Sequence, residues 1–280
     1  MLDKDAITEI LTSSKDFIRY IELDGPDGSI DRRKLKKIGE VVGFAEQILK
    51  ATDTLLKGDN TVFLECSCGK SYLSFVLNHI ISNTYKTRAF FLGVDINKSL
   101  VEKCERIRAA LGYENMQFVH GRTIDFQPDR LVPEGSYQGK VDVVIALHAC
   151  DTATDEAIAK GIKLGAKYVM VVPCCQNQIR SQLRFSHPLI SLTEFGVLRY
   201  KFADILTEAL RSQFLVGAGY HVELMEVVSP KLSPKNILIS ARKTKGRGKR
   251  GMKPYLELSK IFKTHFKLQD FFPELSRELN

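Results

Sequence analysis

Three short stretches hold the residue types that do chemistry. Leu147-His148-Ala149-Cys150-Asp151 and Pro173-Cys174-Cys175-Gln176 each follow an apolar run, and together they offer an imidazole, three thiols, a carboxylate and an amide. An unperturbed imidazole titrates near neutrality, so His148 is suited to take a proton. A structural histidine, hydrogen-bonded beneath its loop, is the other reading of the same residue. A metal centre built from His148, Cys150 and Cys174 or Cys175 is chemically conceivable. Its spacing matches no zinc knuckle, Cys66-Ser67-Cys68 is not Cys-x-x-Cys, and cysteine is also a small buried residue, so no metal is assigned from the sequence. The third stretch, Glu65-Cys66-Ser67-Cys68-Gly69-Lys70-Ser71-Tyr72, is a small-residue turn that lets a ligand approach the backbone.

Two further acids stand at the ends of apolar runs. Asp95, in LGVDIN, can accept hydrogen bonds from both hydroxyls of a ribose, or it can cap the helix that follows. Asp125, in HGRTIDF, is placed to reach an adenine amino group, or is a solvated loop acid.

The elements that position these residues follow from periodicity. Residues 1–58 have helical spacing, with one helix over Ala6–Tyr20 interrupted by a polar gap at Ser14 and another over Leu35–Leu56. From residue 59 the pattern alternates. Strands are predicted at Thr61–Glu65, Ala89–Asp95, Met116–His120, Val141–Leu147 and Lys167–Val172, with helices between them. Near-continuous apolar runs of this kind imply a parallel sheet covered on both faces. A helix over Tyr200–Phe214 leads to His221–Val228 and Asn236–Lys243, two strands joined by a short turn and therefore antiparallel. Met252–Asn280 reads as one helical tail. The fold class is α/β, doubly wound, with a seven-stranded mostly parallel sheet, N-terminal helices and a C-terminal helical tail. The domain reading is an N-terminal extension (1–58), the sheet domain (59–243), and a basic linker with a final helix (244–280).

This sheet pattern resembles class I S-adenosylmethionine (SAM) methyltransferases, whose first turn is acid-x-Gly-x-Gly-x-Gly. ALHACDTATDEA and VVPCCQ are similar to the paired LHACG…TD and PCC-type motifs of one methyltransferase-domain family. That family includes the methyltransferase module of the glutathione-transferase C-terminal-domain-containing proteins and is related to the CHHC-zinc-finger tRNA ribose methyltransferases. The resemblance spans about Asp59 to Lys243. It departs at Glu65 for Asp, at Ser67 and Ser71 for Gly, and at Asp151 for Gly. It implies a SAM site of Glu65, Ser67, Gly69, Ser71, Tyr72, Asp95, Ile96, Ile124, Asp125 and His148. It also implies a catalytic pocket of His148, Cys150, Asp151, Cys174, Cys175 and Gln176. The CHHC finger is missing, so tRNA specificity does not carry over.

Charge supplies the expectation about a partner. The chain has 41 Lys+Arg against 33 Asp+Glu, a formal net charge of +8. Seven of the basic residues, Arg242, Lys243, Lys245, Arg247, Lys249, Arg250 and Lys253, lie in ARKTKGRGKRGMK, which has no acid. That segment suits phosphate contacts, or it is a solubilising linker. Arg180, Arg184, His187 and Arg199 follow the fifth strand, where basic residues favour an anionic substrate. RNA is the expected acceptor. A small molecule or protein acceptor, or a non-catalytic SAM- or RNA-binding module, are the alternative readings. The N-terminus carries no signal-peptide pattern and no apolar run approaches a membrane span, so a cytoplasmic location without membrane association is expected.

Overall fold

The computed structural model describes residues 2–25, 31, 34–58, 60–85, 87–128, 140–183, 185, 189–246 and 252–275. Strands β1 (Thr61–Cys66), β2 (Ala89–Asp95), β3 (Met116–His120), β4 (Val143–Leu147), β5 (Tyr168–Val172), β6 (Tyr220–Glu226) and β7 (Ile237–Lys243) form one sheet of order β3-β2-β1-β4-β5-β7-β6. The first five strands pair in parallel, and β7 pairs antiparallel to both β5 and β6. The order reverses between β1 and β4. In open sheets a ligand crevice forms there, beyond the carboxyl ends of the strands.

Helices cover both faces, as the apolar strands require. On one face α3 (Leu35–Leu56), α4 (Tyr72–Thr84) and α5 (Lys98–Ala110) bury Phe44, Ile48, Phe75, Ile80 and Val101 against the sheet. On the other, α6 (Thr152–Leu164), α7 (Asn177–Gln182) and α8 (Gly196–Gly217) bury Ala157, Ile158, Ile179, Leu210 and Phe214. Among the described residues no helix is long and apolar enough to cross a membrane.

The structure divides two segments that periodicity reads as single helices. Residues 6–20 lie in α1 (Lys4–Ser13) and α2 (Lys15–Tyr20), which break at Ser14; its hydroxyl bonds His79 Nε2 at 3.0 Å. The C-terminal stretch is α9 (Lys253–Phe262), ended by Lys263 at φ 48°, then the short α10 (Lys267–Asp270) and a 3-10 turn. Nor is it an appended tail. Tyr255, Phe266 and Leu268 are fully buried in the core, and Tyr255 stands edge-on to Phe214 at 5.1 Å.

Gly43 seats α3 on the β6–β7 connection. A Cβ at this position would lie 2.4 Å from the Val227 carbonyl oxygen, so only glycine allows the approach. That contact brings Glu40, one turn earlier, over the carboxyl end of β4.

On α8, burial and then the nearby Asp204 charge push the Glu208 carboxyl up to about 7 from its usual 4.5. The folded state therefore keeps a proton between these values that the unfolded chain has lost, so stability falls as pH rises through this window. Glu208→Gln should flatten that slope and be more stable than the parent at pH 8 by on the order of 2 kcal/mol. Denaturant melts at pH 5 and pH 8 check this; parallel profiles for the two proteins would contradict it.

Candidate active site

The first turn folds around a buried carboxylate. Glu65, at the end of β1, is 3% exposed. Its Oε2 accepts hydrogen bonds from the hydroxyls of Ser71 and, at 2.6 Å, Ser74. Burial raises its pKa, while the serine donors oppose the shift. Glu65 therefore sits beneath the turn and holds it, rather than facing a ligand. Ser67 and Ser71, where the related pattern has glycine, both have φ 51°, in the left-handed region that glycine adopts without strain. Ser71 gains the Glu65 bond in exchange. Gly69 has φ +56° and no atom within 4 Å of where a Cβ would stand, so the turn is open above it.

Asp95, at the end of β2, meets this turn. Its Oδ2 accepts the Gly69 N–H at 2.8 Å and its Oδ1 accepts the Asn97 N–H at 2.8 Å. The cap of α5 is Asn97, whose Oδ1 accepts from Ser99 and Leu100 N–H, so Asp95 is not the capping residue. Beside it Ile96 is 72% exposed, a large apolar side chain with no packing partner that explains it. Ile124 and Asp125 lie in a 3-10 turn after β3, with Asp125 exposed. Lys160, from α6, ties this turn down by donating to the carbonyls of Phe126 and, at 3.3 Å, Ile124. Tyr72 is half-buried at the start of α4. A carboxylate, an open left-handed glycine and an exposed isoleucine at adjacent strand ends fit a nucleoside: the acid suits ribose hydroxyls and the apolar surface suits a base.

The loop after β4 is strained and clamped. His148 has φ 60° and Asp151 has φ 52° with ψ −118°, a conformation that favours glycine and costs a non-glycine residue about 1–3 kcal/mol. This explains why the related motif has glycine at the position of Asp151. Arg211 of α8 holds the loop. Its Nη2 donates to the Asp151 carbonyl at 2.8 Å and its Nε donates to Asp155 at 2.8 Å, with both side chains of this pair 1% exposed. Gln178 N–H donates to Asp151 Oδ1 at 3.1 Å, and Thr154 donates to the Ala149 carbonyl. The Thr-Asp element of the motif, Thr154-Asp155, is thus a clamp on the loop.

His148 is paired from an unexpected direction. Its Nε2 lies 3.1 Å from Glu40 Oε2 on α3, while its Nδ1 is buried and lacks a hydrogen-bond partner. Burial holds the imidazole below its usual pKa, with Lys37 adding to the effect and Glu40 opposing it. Burial also works against the Glu40 carboxylate, but hydrogen bonds from Ser233 and His148, together with Lys37, outweigh it and keep its pKa low. A neutral imidazole donating through Nε2 to a carboxylate presents a bare Nδ1 able to take a proton.

The structure brings three of the cysteines together after β4 and β5. Cys150 Sγ lies 3.1 Å from Cys174 Sγ and 3.9 Å from Cys175 Sγ, and the three sulfurs all lie within 4.8 Å of one another. His148 is not in this cluster, and Cys66 and Cys68 are buried elsewhere. Gln176 is 4% exposed, and neither its Oε1 nor its Nε2 has a hydrogen-bond partner. A buried amide with both functions unmet is one a ligand can satisfy.

Sequence reasoning missed Glu40, Lys37 and Arg211, because each reaches the site from a helix distant in the chain; only the buried charge of Arg211 on an otherwise amphipathic helix could have hinted at it. Because β7 runs antiparallel, its end at Arg242 pairs with the start of β5 at Tyr168, so the basic segment leaves the sheet at the edge opposite the motif loops. Arg242, Lys243, Lys245 and Lys253 are exposed; Arg247, Lys249 and Arg250 lie outside the described residues, as do Arg184 and His187, while Arg199 belongs to α8. A cavity of about 760 Å³, lined by Thr87, Arg88, Phe90, Glu105 and Met116, also lies toward the opposite ends of the strands and is separate from the motif loops.

Residues 33–182 match the family model described as "Methyltransferase domain", a span that takes in α3 and its Glu40. The chain is 26% identical over 214 residues to the glutathione S-transferase C-terminal domain-containing proteins of Macaca fascicularis and Homo sapiens, covering 67% of this chain and 30% of theirs. It therefore spans less than a third of the length of these relatives. Among solved structures, magnesium protoporphyrin IX methyltransferase from Synechocystis, determined with bound SAH, aligns over 86% of this chain and 100% of its own, at 17% identity and TM-score 0.49. The Methanococcus jannaschii fibrillarin pre-rRNA processing protein aligns over 69% of each chain, at 14% identity and TM-score 0.42. The chain belongs to the methyltransferase-domain family of class I SAM-dependent methyltransferases.

Proposed function

We propose that this protein transfers the methyl group of SAM to RNA. When bound, SAM supplies an electrophilic methyl on a sulfonium. Asp95 and the open turn at Gly69 hold the nucleoside, with Ile96 and Ile124 against the base. Gln176 orients the acceptor through its unmet amide. Glu40 fixes His148 so that Nδ1 takes the proton the acceptor loses.

The observation that carries the RNA reading is a cation–aromatic patch next to the cysteine loop. Tyr200 is 40% exposed, with the Arg180 guanidinium 5.1 Å and Lys235 Nζ 4.5 Å from its ring centre, and Phe195, at the N-cap of the same helix, is 63% exposed. Exposed rings among cations suit stacked bases and their phosphates. The basic segment at the far edge supplies a second phosphate surface.

Tritiated methyl transfer to total RNA tests the reading. Label in RNA is expected; label confined to a protein or metabolite fraction would refute it. Tyr200→Ala should weaken RNA binding roughly 10-fold with little change in salt dependence. Neutralising the seven basic residues should instead flatten that dependence; an unchanged slope would reduce the segment to a linker.

A further inference from the structure

We propose that Cys150, Cys174 and Cys175 form a three-thiolate site for Zn²⁺, with a fourth coordination position left open at the mouth of the acceptor pocket.

The geometry is that of a ligand set converging on one point. Tetrahedral zinc with Zn–S near 2.3 Å sets its sulfurs about 3.8 Å apart. Here the two separations from Cys150, 3.1 and 3.9 Å, fall on either side of that value, and all three sulfurs lie within 4.8 Å of one another. Two peptide segments contribute, one from the carboxyl end of β4 and one from that of β5, so the parallel register of these strands assembles the site. A disulfide is the competing use of these thiols. It would join two sulfurs and leave the third without a role, and 3.1 Å is far longer than an S–S bond.

The charge balance also favours a cation. Zinc binding would replace three thiol protons with one dication, leaving the site at a net charge of −1. Lys37 acts electrostatically on Cys174 and Lys235 on Cys175, although each ammonium is also paired with a carboxylate, Glu40 and Asp204 respectively. Three thiolates are soft donors of the kind that select zinc over magnesium or calcium.

The fourth position decides what kind of site this is. Structural zinc is closed by four protein ligands, whereas three protein ligands leave room for water or substrate. Among the described residues no fourth His, Cys or carboxylate joins the group. Cys150 is exposed and Gln176, with its unmet amide, adjoins Cys175, so the open position lies where an acceptor would enter. Metal bound there would polarise an acceptor oxygen or sulfur and make it easier to deprotonate. The site does not depend on whether the acceptor is RNA.

The test is metal content. The full chain, purified under reducing conditions, loaded with Zn²⁺ and passed over a weak chelator, should retain about one zinc by mass spectrometry. Co²⁺ in its place should give a thiolate-to-cobalt charge-transfer band with the intense visible absorption of a tetrahedral site. Cys150→Ser, at an exposed position, should keep its melting temperature. It should lose affinity by at least the roughly 100-fold that removal of an outer-shell partner costs a metal site. Retention below about a tenth of a zinc per chain would overturn the proposal, as would cobalt spectra unchanged by Cys150→Ser, or a Cys150–Cys174 disulfide whose reduction restores no metal binding. None of these readouts requires SAM or an acceptor, so the site can fail without the methyltransferase reading failing, and the reverse.

Discussion

Replacing Arg211 with alanine should destabilise the fold by about 3–5 kcal/mol, the usual cost of leaving a buried charge without its partner. Arg211 is 0% exposed and Asp155 1% exposed, so the carboxylate is left buried without its counter-charge. The same change frees the Asp151 carbonyl and removes a cation packed against Phe266, 5.9 Å from the ring centre. Because Asp151 is strained, the loop from His148 to Asp151 should relax, and methyl transfer should fall along with stability. Arg211→Leu combined with Asp155→Leu removes both charges and should recover most of the lost stability, since well-packed apolar groups often replace a buried pair without loss. Urea denaturation of the single and double variants checks this. A loss below about 1 kcal/mol for Arg211→Ala would show that the clamp is not what holds the loop.

Much of this architecture is legible in the chain. The apolar runs fix all seven strands to within a few residues, and the short turn before Asn236 fixes the antiparallel pair, because period and turn length are local properties. The two motif loops are equally local, and the parallel register necessarily brings them to one edge. What the chain does not display is which distant residue completes each loop. Glu40 reaches His148 across 108 positions, on a helix whose Gly43 packs closely on the Val227 carbonyl. Arg211 reads as one more polar residue on a helix until Asp155 is seen beneath it. The basic run is conspicuous in the sequence, but its place is set by the antiparallel pairing of β7, which takes it to the end of the sheet opposite the motif loops. Ser67 and Ser71 look like a weakened glycine turn, but Glu65 turns Ser71 into a fastening. The sulfurs of Cys150, Cys174 and Cys175 are 24 residues apart at their closest inter-loop pair and meet only through β4 and β5.

Asp95→Ala has the second large expected effect. Hydrogen bonds to a charged group contribute about 1.5–3 kcal/mol. Removing the carboxylate should therefore weaken SAM binding by roughly 100-fold, and further if the Gly69 turn loosens once its N–H loses its acceptor. Asp95→Asn keeps one acceptor for the turn and should fall in between. Asp95 is 9% exposed and accepts the Gly69 and Asn97 N–H groups, so Asp95→Ala should also lower the melting temperature, whereas Asp95→Asn should melt nearer the parent. The central claim, that this fold holds SAM at the ends of β1 and β2, is tested most directly by calorimetric titration of the full chain with SAM. The expected result is saturable one-site binding that Asp95→Ala reduces by about two orders of magnitude. Absence of binding at millimolar SAM, or binding that Asp95→Ala leaves unchanged, would contradict it.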